Sequence, residues 1–145
     1  MAEGDHTPRI LVDDRQDLPV DTDGLVALAE TCLRGEGAAR SELSISLVTE
    51  EEMTELHERY LGEPGPTDVL AFPLDEVDED GVRLLGDVVI CPVVAARNNP
   101  ADPASELRLL LVHGVLHLLG HDHEEEEERA RMWALQERYS GVRVP

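Results

Sequence analysis

The chain is poor in cysteine and contains no lysine. Only Cys32 and Cys91 occur in 145 residues, far apart and in no C-x-x-C arrangement. That argues against a disulfide framework and for a reducing compartment, the cytoplasm. No uninterrupted apolar stretch approaches the roughly 18 residues a membrane helix needs, so no membrane partner is expected. The opening residues MAEGDHTPRI carry acids where a signal peptide requires a basic region, and no apolar run follows. Positive charge is scarce as well. All 12 basic residues are arginine, against 32 acids, and the net charge is −20. This balance argues against non-specific binding to nucleic acid, and DNA is not an expected partner. The acidity reads first as a property of the whole surface. An RNA substrate remains compatible with it if phosphate contacts are local, through a few arginines or a metal.

What is present suffices for one domain. A chain of this length, 41% hydrophobic, can bury a sizeable core, so we expect a single domain over residues 1–145 with residues 1–8 flexible. No internal repeat is visible. RILVDD (9–14) reads as a first strand. The stretch from Asp21 to Gly37 reads as a helix, with Asp21 or Thr22 near its N-cap and Gly35 or Gly37 at its end. Leu43, Ile45 and Leu47 alternate with serines and predict a strand with one polar face. EEMTELHERYLG predicts a second helix with acids in its first turn and Gly62 after its last. A short strand DVLAF (68–72), an acidic turn DEVDEDG (75–81) and a strand RLLGDVVICP stopped by Pro92 follow. Asp102 and Pro103 suit the N-cap and first position of a long helix. Apolar residues surround most of that helix, which marks it as the buried centre of the domain. Glu124–Glu128 open a last helix, whose Met132, Trp133 and Leu135 are expected in the core. The mixed order of elements predicts an α+β fold, with helices packed on a small mixed sheet.

Chemistry concentrates in HGVLHLLGHDH, residues 113–123, which holds four of the six histidines. His113 and His117 are four apart, so a helix places them on one face, about one turn from each other. Two imidazoles on a Leu-rich, buried helix are costly unless something pairs them, and a shared metal does so. A continued helix cannot supply the third ligand, because eight residues rise about 12 Å. Gly120 can adopt the left-handed conformation that turns the chain back, and geometry then leaves His121 and His123 tied. With His123 the spacing becomes H-x3-H-x2-G-x2-H, a metzincin histidine spacing. Three imidazoles leave a fourth position for water, which points to a catalytic zinc, although other divalent ions accept the same donors. Asp122 could orient a ligand or cap the last helix. The residue after the first histidine is Gly114, where H-E-x-x-H proteases carry their general base. Zincin-type peptide hydrolysis is therefore demoted, and hydrolysis of another bond is favoured.

HGVLHLLGHDH, with GPTDVLAFPLDE, LLGDVVI and RMWALQERY, resembles the YbeY family of bacterial rRNA-maturation endoribonucleases. The resemblance runs from about Ser41 to Tyr139 in the same order. It implies a zincin-like α+β fold with the metal site on the central helix, and one Zn2+ held by His113, His117 and His123. It also implies a metal-dependent, single-strand-specific endoribonuclease acting in 16S rRNA 3′-end maturation and ribosome quality control. The implied partners are rRNA, the small ribosomal subunit and its assembly GTPase. Thr67, Asp68 and Asp87 fall in family blocks and are candidates to line the site; no general base is named. The chain departs from the family in having Leu61 where an Arg usually follows Tyr60, and Ala71 where Ser is common. Arg59 lies just before Tyr60; if it points away from the cleft, RNA binding is weaker or uses another arginine such as Arg97. The rival readings are a zincin-type metalloprotease and a non-enzymatic ribosome assembly factor with a structural zinc.

Overall fold

The computed structural model describes residues 7–121 and 124–142. Nine elements follow in order: β1 (Arg9–Asp14), α1 (Thr22–Gly35), β2 (Ser41–Leu47), α2 (Glu50–Leu61), β3 (Val69–Val77), β4 (Arg83–Ile90), α3 (Pro92–Asn98), α4 (Pro103–Leu118) and α5 (Glu126–Ser140). The four strands form one mixed sheet in the order β1-β2-β4-β3. β1 and β4 flank β2 in parallel, while β3 pairs antiparallel with β4 and forms an edge. The expected α+β class, a small mixed sheet packed with helices, is what the chain adopts.

Local chemistry sets the boundaries. Asp21 caps α1 by accepting from the Gly24 amide, Thr49 caps α2, and Asp102 caps α4 with Pro103 at its first position. Three expectations need correction. The acidic segment 75–81 is not wholly a turn: Asp75–Val77 extend β3 across a register shift, and the turn proper is closed by Asp78, whose carboxylate accepts from the Asp80 and Val82 amides. Pro92 does stop β4, but it also opens the seven-residue α3, whose short length and Val93–Val94 pair gave no helical period. Of the lead expected to be flexible, residues 1–6 lie outside the described residues. Thr7 accepts a hydrogen bond from Arg34 and Pro8 is buried, so those two belong to the packed body.

The larger core lies between the sheet and α1, α4 and α5, and includes Leu33, Ile45, Val88, Leu111, Val115 and Met132. A smaller one, around Met53, Leu70, Val89 and Val94, occupies the opposite face under α2 and α3. Cys32 sits in the first and Cys91 in the second, both as free thiols. Trp133 departs from expectation. It is 51% exposed while Met132 is fully buried, because successive helical residues differ by about 100° and the inward stripe of α5 runs Met132, Gln136, Ser140.

α4 is the buried centre that its sequence predicts, and at Gly114 it lies tight against the sheet. A Cβ there would lie 2.7 and 3.0 Å from the two methyls of Val88. Gly114→Ala should therefore lower stability in denaturant titration. Overpacking costs about 1–3 kcal/mol, only partly offset by the roughly 1 kcal/mol of helix propensity gained. Val88→Ala should remove most of that specific penalty when the two are combined. Additive losses in the double variant would show that the contact is not the constraint.

Candidate functional site

His113 and His117 emerge on the side of α4 that faces the edge strand β3. Their rings meet edge-to-face with centroids 4.7 Å apart and an interplanar angle of 76°. Both are half-buried, in the second half of α4, where Leu110, Leu111, Val112, Gly114, Val115, Leu116 and Leu118 are buried. They lie in a cleft of about 500 Å³ bounded by Tyr60 and Leu61 of α2, residues 69–73 of β3, and His113, Gly114, His117 and Leu118 of α4.

α5 supplies a residue that sequence reasoning missed. Gln136, 4% exposed, bonds its Oε1 to His113 Nδ1. With that oxygen as the acceptor, the bond takes the His113 tautomer protonated on Nδ1, whose lone pair is on Nε2. A signal was available: Gln136 lies four residues after Met132, a polar residue on the apolar stripe of α5.

The turn expected after α4 is present. Gly120 has φ +101°, its amide bonds to His117 O, and the His121 amide bonds to Leu116 O, the paired bonds of a Schellman ending. This turn sends His121 away from the cleft. His121 Nε2 lies 3.0 Å from Glu36 Oε1, while Tyr139 donates to Glu36 Oε2 at 2.8 Å. His121 thus ties the helix end to the last turns of α1 and α5. His123 and Asp122 lie outside the described residues. Among the described residues no group of three or more His, Cys, Asp or Glu is gathered as metal donors.

The remaining candidates separate. Asp68 immediately precedes the lining strand, where it accepts from its neighbour Val69's amide at 2.8 Å and from Asn98 Nδ2 at 3.3 Å; Thr67 lies beside it. Neither bounds the histidine cleft, and Asp68 performs turn and cap chemistry. Asp87 does not line the cleft either. It pairs with Phe72 across β3–β4 and stands exposed on the sheet face opposite α4, because its neighbour Val88 is the residue turned towards Gly114. Arg97 is held by Glu50 at 2.7 Å, and Arg59 is not among the lining residues.

Comparison with known proteins fits this geometry. Residues 11–141 match the family model described as Endoribonuclease YbeY. The chain belongs to the YbeY family. It is 50% identical to the Endoribonuclease YbeY of Cutibacterium acnes, covering 81% of this chain and 82% of that one. It is 48% identical to that of Salinispora tropica, covering 82% and 85%. A solution structure of TM1509 from Thermotoga maritima superposes with a TM-score of 0.59 at 29% identity, covering 92% of this chain and 87% of that one. In this chain the cleft holds the histidine pair in a lining that is otherwise apolar and aromatic. No helix among the described residues is long and apolar enough to cross a membrane.

The Glu36 cluster carries the clearest titration behaviour. Burial, then the bond to Glu36 and that carboxylate's charge, push Tyr139 up to about 12 from the usual 10.0. Burial, with Glu36 adding to it, pushes the Cys32 thiol up to about 12 from 9.0. In the folded protein both groups keep protons that the unfolded chain releases earlier. Stability is therefore full below about pH 9 and falls as pH rises from there towards 12. Tyr139→Phe should cost about 1–3 kcal/mol at pH 7.5 by removing a donor from a part-buried carboxylate. It should also flatten the alkaline loss. Equal slopes between pH 9 and 11 in wild type and variant would contradict this assignment.

Proposed function

We propose that this protein is a metal-dependent, single-strand-specific endoribonuclease acting in 16S rRNA 3′-end maturation and ribosome quality control in the cytoplasm. Its partners would be rRNA, the small ribosomal subunit and an assembly GTPase. The observation that carries the reading is the pair of half-buried imidazoles on one face of α4, opening into the cleft beneath edge strand β3, in a chain of this family.

The donor set suits a divalent ion, Zn2+ first. His113 is already in the tautomer that offers Nε2, with Nδ1 engaged by a buried partner of the kind that orients metal-bound histidines. His117 stands one turn on, its ring packed against the first. With His121 Nε2 committed to Glu36, we assign the third position to His123, in a zincin-like arrangement on the central helix. A metal so bound supplies a Lewis acid for a phosphodiester oxygen and a water acidified towards neutrality. The chain's own groups do the rest: α4 and Gln136 orient the imidazoles, and β3 forms the wall along which an extended strand can lie. The protease reading is weakened further by packing. A side chain at position 114 would start against Val88, so the missing carboxylate has no room to be restored.

His117→Ala should lose bound metal and RNA cleavage together, as read by elemental analysis and by a single-stranded RNA assay. RNase activity in metal-free variant protein would overturn the proposal. A folded, metal-free variant that still supported ribosome maturation in cells would favour the assembly-factor reading. Gln136→Leu should weaken metal affinity about 10–100-fold through loss of the bond to His113, and Gln136→Glu should restore most of it. Undiminished affinity in the Leu variant would remove Gln136 from this role.

A further inference from the structure

The cleft's substrate-facing wall is unusual for a protein that must hold RNA, because no arginine lines it among the described residues. It is aromatic instead. The chain has only four aromatic side chains: one Trp, two Tyr and one Phe. Trp133 lies on α5 with Arg129 over its ring, and the Tyr139 hydroxyl is engaged by Glu36. The other two, Tyr60 and Phe72, meet at the mouth of the histidine cleft, centroids 5.1 Å apart at 65°.

Tyr60 is not there for the core. α2 buries Met53 and His57, whereas Tyr60 in its last turn is 58% exposed. Phe72 is half-buried and meets the Tyr60 ring edge-to-face, which steadies the ring and leaves most of its surface to solvent. Leu61 beside it is 57% exposed and widens the apolar rim. A net charge of −20 makes tracking of a phosphate backbone costly. Stacking on an aromatic ring is the means of holding nucleic acid that does not need positive charge, and it requires a base whose face is unoccupied.

We propose that Tyr60, buttressed by Phe72, is a stacking platform for an unpaired nucleobase next to the histidine site, and that it sets the preference for single-stranded RNA. This rests on the endoribonuclease reading above. Bases in a duplex are already stacked on one another, so the same wall admits single strands and rejects helices.

The test is binding of a hydrolysis-resistant (2′-O-methyl, phosphorothioate) uridine hexamer to zinc-loaded protein, measured by fluorescence anisotropy beside an all-abasic hexamer of equal length and charge. Tyr60→Ala should bind the uridine hexamer about five- to 150-fold more weakly, the range expected for loss of one base–aromatic stack. Tyr60→Phe and Tyr60→Trp should bind it like wild type. Wild type should discriminate against the abasic hexamer, and the Ala variant should not. Equal binding by wild type and the Ala variant, both having unchanged thermal midpoints, would overturn the platform while leaving cleavage by wild type to support the endoribonuclease. Wild-type protein that neither binds nor cleaves single-stranded RNA would overturn both.

Discussion

The close approach of α4 to the sheet at Gly114 is the contact on which the arrangement depends. A helix carrying a side chain there would be held away from Val88, and the histidines one residue before and three after would shift with it. The same packing keeps Leu111, Val112 and Val115 sealed in the larger core. Rigidity of the pair is thus inherited from apolar packing, and the site needs few polar bonds of its own. To that packing Gln136 adds a buried amide reaching from α5 to fix one ring's orientation. The glycine that allows the packing also accounts for the missing protease carboxylate, so one steric fact bears on both stability and chemistry.

A second constraint acts at the end of α4. The Schellman turn at Gly120 reverses the chain within two residues, and it divides labour among neighbouring histidines. Those on the helix face the cleft. His121 and Tyr139 each bond to Glu36, linking the ends of α1, α4 and α5 through that one carboxylate. A carboxylate with little solvent exposure, approached by a phenol and an imidazole, holds that junction by directional bonds where apolar packing thins out.

Much of this was legible in the residues. The strand alternation at Leu43–Leu47, the caps at Asp21 and Asp102, the helical face shared by His113 and His117, and the turn at Gly120 are all local, and local rules predicted them. What was not legible required long-range partners. The contact between Gln136 and His113 spans 23 positions, and that between Glu36 and His121 spans 85, so no spacing reveals them. The face on which Asp87 stands was hidden for a related reason. Its motif neighbourhood is right, but a strand's side chains alternate, and only the packing of Val88 on α4 decides which face is which. Trp133 failed on the same account, since a three-residue apolar window cannot fix the phase of a helix.

The charge of the chain and the lining of its cleft are best understood together. An acidic surface repels a polyanion at long range, and a ring of arginines around the histidines would be the direct answer. Among the described residues the cleft lining instead holds Leu61 and no arginine, and Arg97 is paired with Glu50. On the proposed function, the free energy of substrate binding would come from terms that do not depend on net charge: a base against the exposed Tyr60 ring, backbone groups of an edge strand, and the histidine pair with the metal it is proposed to hold. Such short-range terms act only when a strand is already within the cleft. They reward a substrate whose bases are free and give little hold on a duplex, whose phosphates would meet the acidic surface with nothing to offset the repulsion.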